Sequence, residues 1–107
     1  MLVTITKFPL KPGGTRAEAL DYIEGSLPHY RGYEGLVRKY VTLDIERGVG
    51  QGIYLWESRE QAEGFFEAAR AILRKDTGAE PEIEFWDAPV IVDNREDTVW
   101  FADGRQV

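Results

Sequence analysis

The chain contains no cysteine and a single histidine, His29, among its 107 residues. Without cysteine there is no disulfide bond, no thiolate nucleophile and no cysteine-ligated metal. One histidine is too few for the usual zinc sites, so we predict no metal site. Neither a dinucleotide fingerprint nor a phosphate-binding loop motif occurs, so the sequence predicts no nicotinamide or flavin cofactor.

Basic residues are scarce relative to acidic ones, with 13 Lys and Arg against 19 Asp and Glu, a net charge of −6. This balance, without any basic run, disfavours nucleic acids and anionic membranes as partners. The start of the chain lacks a secretory signal pattern, and no apolar run reaches the roughly 20 residues of a membrane span. We therefore expect a cytoplasmic protein with a single domain, 1–107, whose core covers about 1–92 and whose polar tail is 93–107.

Hydrophobic alternation and turn residues predict four strands, at 2–8, 36–44, 51–56 and 82–87. The second and third strands are joined by a short glycine-containing turn and are expected to form a hairpin. A helix is predicted between the first two strands and another between the last two.

Each predicted helix begins with a capping motif. Thr15 opens a T-x-x-E capping box before the first helix, and Pro28 should end that helix. Ser58 opens an S-x-x-Q box before the second helix, and Gly78 suits its C-terminus. The second helix carries one apolar stripe, formed by Ala62, Phe65, Phe66, Ala69, Ile72 and Leu73.

The predicted order is that of the α+β, ferredoxin-like βαββαβ fold, a four-stranded antiparallel sheet with two helices on one face. Apolar side chains occupy both faces of the strands, as where Ile53 and Leu55 alternate with Tyr54 and Trp56. Two helices cover one face, so we expect a second copy of the chain to cover the other, giving a homodimer of the dimeric α+β-barrel type. The alternative is that the C-terminal tail folds over that face.

Four stretches carry a resemblance to a known family: Tyr33–Tyr40 (YEGLVRKY), Gly50–Trp56 (GQGIYLW), Glu57–Phe66 (ESREQAEGFF) and 85–94 (FWDAPVIVDN). Together they resemble the small monooxygenase-like proteins of the dimeric α+β-barrel superfamily, relatives of the antibiotic-biosynthesis monooxygenases, over about residues 1–94. The resemblance implies a cofactor-independent monooxygenase acting on a small aromatic or quinol-type compound. It also leaves open a non-catalytic, small-ligand-binding or stress-related barrel protein, since one fold hosts many functions.

Some relatives of this family degrade haem, using an asparagine on an early strand. The only asparagine here is Asn94, near the end of the chain, so haem degradation is disfavoured.

Three residues are predicted to be catalytic: His29, Tyr54 and Trp56. An imidazole such as that of His29 can act as general base on a phenol, or His29 is simply a histidine at a helix end. Tyr54 and Trp56 share a strand face and can line a cavity with hydrogen-bond donors, or they belong to the core.

Five more residues are predicted to bind substrate: Tyr33, Arg38, Tyr40, Phe66 and Trp86. The aromatic side chains can hold a planar molecule in a dry pocket, or they can form the core and the dimer interface. Arg38 can bind a substrate anion, or it can pair with a carboxylate at the rim. The expected partners are therefore a second copy of the chain and a small hydrophobic or aromatic molecule.

Overall fold

The structure, a computed structural model, describes residues 1–77 and 81–106, with side chains in all of these except 72–77. Four strands form one antiparallel sheet: β1 (Leu2–Pro9), β2 (Leu36–Asp44), β3 (Val49–Trp56) and β4 (Ile83–Asp87). Their order across the sheet is β2-β3-β1-β4. This topology, with α1 and α2 between the strands, is the predicted ferredoxin-like α+β fold.

The helices are α1 (Arg16–Ser26), which continues into a short 3-10 helix at Leu27–His29, and α2 (Arg59–Thr77). The predicted stripe residues Ile72 and Leu73 and the predicted cap Gly78 lie outside the described side chains.

Strand register divides the sheet into two faces. On the face covered by the helices, Thr4 of β1 lies opposite Tyr54 of β3. On the other face, which we call the open face, Val3 lies opposite Leu55 and Ile5 opposite Ile53. The predicted alternation of β3, with Tyr54 and Leu55 on different faces, is confirmed.

The predicted alternation of β2 is wrong at its start. Strict alternation placed Leu36 on the same face as Tyr40, but the pairing with β3 shifts by one residue between Leu36 and Arg38. A β-bulge at Val37 absorbs this residue, so Leu36 lies opposite Trp56 on the helix-covered face.

The core lies between α2 and the sheet. Its buried apolar residues are Leu2, Tyr54, Trp56, Ala62 and Phe66. The Phe66 ring centroid lies 5.2 Å from that of Tyr54 and 6.0 Å from that of Trp56, in edge-to-face contacts. Ala62, Phe65 and Phe66 of the predicted stripe therefore pack on the sheet, as expected for a helix that buries an apolar face.

Glycine in β3 makes room for aromatic rings lying on the sheet. A Cβ atom at Gly52 would lie 2.8 Å from Tyr54 Cε1 and 2.9 Å from Thr6 Oγ1. The Phe8 ring occupies the same position over Gly50. The glycines of the GQG motif are thus needed for close packing on the helix-covered face.

The capping box of α1 is present: the Glu18 amide donates to Thr15 Oγ1 and the Thr15 amide donates to Glu18 Oε1, both at 3.2 Å. Within the described chain, α1 contains no buried residue, and Leu20 of its apolar face is 47% exposed. Packing on the sheet therefore contributes little to the stability of α1, which depends more on its caps.

The C-terminal region forms a hairpin that the sequence did not predict, with β5 (Val90–Asp93) paired to β6 (Thr98–Phe101). Residues of β5 line a cavity of about 290 Å³ together with Val3, Ile53 and Leu55 of the open face. Asp93 Oδ2 also lies 3.9 Å from Arg38 Nη2 on β2. The hairpin therefore borders the open face, with space left between β5 and the sheet.

Large apolar side chains remain exposed on this side of the molecule: Tyr40, Trp86, Val90, Val92, Val99 and Trp100. No helix in the described part of the chain is sufficiently long and apolar to span a membrane.

Candidate functional site

An open cleft of about 310 Å³ lies between the end of α1 and β2; we call it the β2 cleft. Its apolar lining residues are Ile23, Leu27, Leu36, Val37 and Val41. Its polar lining residues are Ser26, Tyr30, Arg31, Arg38 and Lys39. A recess that combines apolar walls with polar and cationic side chains can hold a small molecule that has both an apolar body and an acidic group.

Lys39 is the unexpected residue of the β2 cleft. It lies opposite Tyr54 in the β2–β3 register, which places its side chain on the helix-covered face of the sheet. Lys39 Nζ lies 3.2 Å from the centroid of the Tyr30 ring and 4.7 Å from that of Tyr54. These are cation–π distances, and the two rings replace part of the hydration that the ammonium loses.

Burial changes the acidity of this group. The pKa of Lys39 is lowered to about 8, because its half-buried position penalises the charged form. The sequence contained a signal for Lys39, which alternation places on the same side of β2 as Val41 and Leu43. A charged residue on an apolar strand face is a candidate for function, and our sequence analysis missed it.

Two tyrosines surround the lysine. The ring centroids of Tyr30 and Tyr54 are 6.2 Å apart. Burial raises the pKa of Tyr54 strongly and that of Tyr30 more weakly, so both phenols remain protonated at neutral pH. They are available as hydrogen-bond donors rather than as bases.

The structure brings four of the predicted site residues together behind the cleft: Tyr33, Tyr54, Trp56 and Phe66. Tyr33 lies edge-on to Trp56, with ring centroids 6.0 Å apart, and the two buried rings of Tyr54 and Phe66 complete the cluster. The indole N–H of Trp56 is fully buried and donates to Thr4 Oγ1 at 2.9 Å. These residues form a packed aromatic wall, and Trp56 already uses its hydrogen-bond donor within the core.

Three other predicted residues belong to the open face. Arg38 lies opposite Leu55, Tyr40 opposite Ile53, and Trp86 opposite Val3. Arg38 Nη1 donates to Tyr40 Oη at 3.2 Å, and the guanidinium also faces Asp93. Arg38 thus borders the β2 cleft while its charge is directed to carboxylate and phenol groups, as the rim interpretation predicts. Tyr40 and Trp86 therefore lie outside the aromatic cluster around Tyr54, although Tyr40 and Tyr54 both border the cavity of about 290 Å³ beside β5.

His29 lies in the 3-10 helix that follows α1, and its side chain is exposed. Its ring centroid is 6.4 Å from that of Tyr30, in an edge-to-face arrangement. The residues lining the β2 cleft include its neighbours Leu27 and Tyr30 but not His29 itself. Within the described residues, no group of three His, Asp or Glu side chains is close enough to hold a metal ion.

No protein-family model matches the chain, and no curated protein matches it significantly. Solved structures do match. The chain is similar to the ActVA-Orf6 monooxygenase of Streptomyces coelicolor, solved with nanaomycin D, at 18% identity and a TM-score of 0.58. That match covers 81% of this chain and 86% of the other.

Two further structures extend the comparison. A MhuD mutant with two manganese protoporphyrin IX molecules bound per active site matches with a TM-score of 0.64 at 12% identity, covering 88% of this chain and all of that one. An antibiotic biosynthesis monooxygenase matches with a TM-score of 0.51 at 20% identity, covering 82% and 98%. The resemblance predicted from the sequence is confirmed at the level of structure: the chain has the ferredoxin-like α+β fold of the antibiotic biosynthesis monooxygenases.

Proposed function

We propose that the protein is a cofactor-independent monooxygenase that oxidises a small aromatic or quinol-type molecule bound in the β2 cleft. The observation that carries this proposal is the cleft itself, an open recess of about 310 Å³ in which apolar side chains lie beside Tyr30 and Lys39. Support comes from the fold, which is shared with a monooxygenase solved with nanaomycin D.

The proposed reaction needs only the substrate and oxygen. The cleft removes water from the substrate, and a base removes the proton of its hydroxyl group. The resulting anion gives electrons to O₂ directly. One oxygen atom enters the substrate and the other leaves as water, with all four electrons supplied by the substrate.

The predicted site residues have specific roles in this proposal. The sequence predicted His29 as the general base, and its ring lies 6.4 Å from that of Tyr30 at the end of the short 3-10 helix, outside the lining of the cleft. Tyr54 and Trp56, with Tyr33 and Phe66, provide the aromatic wall that stiffens the cleft from behind. We further propose that the protein works in the cytoplasm as a homodimer formed through the open face, where Arg38, Tyr40 and Trp86 lie.

A second candidate is a non-catalytic protein that binds a small molecule in the same cleft. The observation that favours it is the dense packing between α2 and the sheet. Tyr54, Trp56 and Phe66 fill that space, with at most 5% of each residue exposed. A ligand there would have to displace core side chains, which leaves the more open β2 cleft as the binding site.

Oxygen uptake by the purified protein under air, with a panel of anthrones and of hydroquinones with and without a conjugated carbonyl group, tests the first candidate. We expect turnover that is abolished by Val41→Phe, because the larger ring fills the cleft. The matched control is Val49→Phe, a valine of similar exposure that does not line the cleft.

Binding without oxygen uptake for every member of the panel would favour the second candidate. Turnover that is equal in Val41→Phe and Val49→Phe would contradict the β2 cleft as the substrate site. His29→Ala is included to test whether the imidazole is needed for turnover.

A further inference from the structure

Lys39 is a charged residue on an otherwise apolar strand face. Its strand neighbours on the helix-covered face, Leu36, Val41 and Leu43, are apolar. A lysine can cover apolar surface with its stem while its ammonium reaches water. Here the ammonium instead lies against the faces of two tyrosine rings, 3.2 Å from the centroid of Tyr30.

No anionic side chain lies at Lys39 in the part of the chain whose side chains the structure describes. Among the described residues, the salt bridges of the protein join other basic groups to carboxylates, and none involves Lys39. The charged and titratable groups around it in the cleft are Tyr30, Tyr54, Arg31 and Arg38, and none of them carries a negative charge at neutral pH. An anion that entered the cleft would therefore be attracted to Lys39 without competition from a neighbouring carboxylate.

We infer that Lys39 accepts the proton of an acidic phenol or enol bound in the β2 cleft and then pairs with the anion that is formed. This inference rests on the proposed function and names both its base and its substrate class. The step is balanced: the O–H bond breaks, an N–H bond forms, and the oxyanion remains beside the new ammonium group.

The acidity of Lys39 determines which hydroxyl groups suit this step. Because its pKa is about 8, roughly a tenth of Lys39 is uncharged at pH 7, far more than for a solvated lysine. Proton transfer to such an amine is favourable only when the hydroxyl group is of similar or greater acidity. Phenols and enols conjugated to an electron-withdrawing carbonyl or nitro group meet this condition, whereas simple phenols, which are weaker acids, do not.

The aromatic neighbours also fit this role. Tyr30 holds the ammonium by its ring face, an interaction that a bound phenolate can replace by a direct ion pair. The exposed His29 does not line the cleft, whereas Lys39 does, so Lys39 is the better-placed base.

The test uses 4-nitrophenol as probe, because its phenolate has its own absorption band, and 4-nitroanisole as the analogue without an acidic hydroxyl group. At pH 6 free 4-nitrophenol is mostly protonated. Lys39 is almost fully protonated at this pH, so the measurement tests the ion pair. We expect the wild-type protein to bind the probe as the phenolate, and Lys39→Met to weaken binding about tenfold or more while changing 4-nitroanisole binding less than about twofold. Lys7→Met, at an exposed lysine of β1, is the matched control and should behave as wild type.

Lys39→Arg separates pairing from proton transfer. Arginine stays charged at all relevant pH values, so this variant should bind the phenolate within a few-fold of wild type. It should lose turnover of any substrate that the wild type oxidises, because it cannot accept a proton. His29→Ala should retain both properties.

The inference is overturned if the wild type binds 4-nitrophenol in its neutral form, or if Lys39→Met ionises the bound probe as well as the wild type does. These absorption measurements do not depend on oxygen. Absence of oxygen uptake with intact phenolate binding would therefore contradict the proposed monooxygenase and leave the role of Lys39 as an anion-binding residue standing.

Discussion

Thr4 and Trp56 share a hydrogen bond inside the core, between two strands that pair in the sheet. Both residues are fully buried, so the indole N–H has no access to water if its acceptor is lost. We expect Thr4→Val, which preserves shape, to lower the free energy of unfolding by about 1–3 kcal/mol, the cost of a buried unsatisfied donor. Urea unfolding followed by circular dichroism measures this change.

Thr42→Val is the matched control for Thr4→Val. Thr42 also lies on a strand, but the hydrogen bond that its hydroxyl group donates to Gln51 Oε1 is exposed to solvent. We expect its effect to be within about 0.5 kcal/mol. Equal effects of the two substitutions would contradict the proposed importance of the buried bond.

The stability of the protein should depend on pH through Lys39. Its pKa is about 8 when folded, below the 10.5 of a solvated lysine, so the unfolded chain binds more protons between these values. The free energy of unfolding therefore rises with pH through this window, and the cost of burying the charge is fully present below pH 8. Because the group is partly solvated, we expect a rise on the order of 1 kcal/mol.

Urea midpoints at pH 7 and pH 9.5 check this prediction, with Lys39→Met expected to remove the rise and Lys7→Met to keep it. The range stops at pH 9.5 because the raised pKa values of Tyr30 and Tyr54 destabilise the folded state at higher pH. A Lys39→Met profile parallel to that of wild type would show that the rise has another source.

Sequence patterns predicted the residues of the aromatic wall better than the groups of the cleft. Alternation in β3 placed Tyr54 and Trp56 together, because side chains of a strand point to opposite faces in turn. The same rule places Lys39 with the apolar Val41 and Leu43, so the charge on that strand face was a signal that the sequence contained. The separation of Tyr40 and Trp86 from Tyr54 follows from register, which only the paired strands define.

At the scale of elements, α1 should be the least stable helix in the described chain. It begins at a capping box but contains no buried residue. We expect Thr15→Ala to weaken α1 by about 1 kcal/mol, which corresponds to roughly fivefold faster amide exchange within Arg16–Ser26. Hydrogen exchange of the sheet amides and the midpoint of global unfolding should change little.

Ser58→Ala at the start of α2 is the comparison. Ser58 Oγ accepts the Gln61 amide at 3.2 Å, and α2 buries Ala62 and Phe66 against the sheet. Loss of this cap should therefore appear as a lower midpoint of global unfolding. The interpretation of α1 fails if Thr15→Ala lowers the global midpoint as much as Ser58→Ala does.

The six main elements were predictable because each carries a local signal: alternating side chains, a capping box, or a proline and glycine turn. The C-terminal hairpin was missed because β5 and β6 are only four residues each. A four-residue segment such as Thr98–Phe101, within a polar tail, is too short to show a periodic pattern. Its pairing with β5 depends on contacts in the folded chain.

At the scale of the whole molecule, we expect a homodimer formed through the open face and the outer side of the hairpin. Trp86 and Val92 are 57% and 64% exposed, and a soluble monomer rarely tolerates several such residues in one region. Analytical ultracentrifugation at micromolar concentration should give twice the 12.2 kDa mass of the chain.

Charged substitutions locate the predicted interface. Val92→Asp should shift the sedimenting species to the monomer, because an unpaired carboxylate would be buried between the copies. Tyr22→Asp is the control: Tyr22 is 79% exposed but belongs to α1, away from the open face. A wild-type chain that sediments as a monomer, or a Val92→Asp variant that stays dimeric, would contradict this arrangement.

The bulge at Val37 has a consequence for how related chains should be compared. The extra residue lies between two stretches of β2 that each keep their own pairing with β3. Removal of Val37 would leave Leu36 opposite Trp56 and Lys39 opposite Tyr54. The strand can therefore lose or gain this residue while every other side chain stays on its face of the sheet. Relatives that are one residue shorter here should be aligned with a gap at this point, which keeps their counterparts of the cleft lysine in the same column.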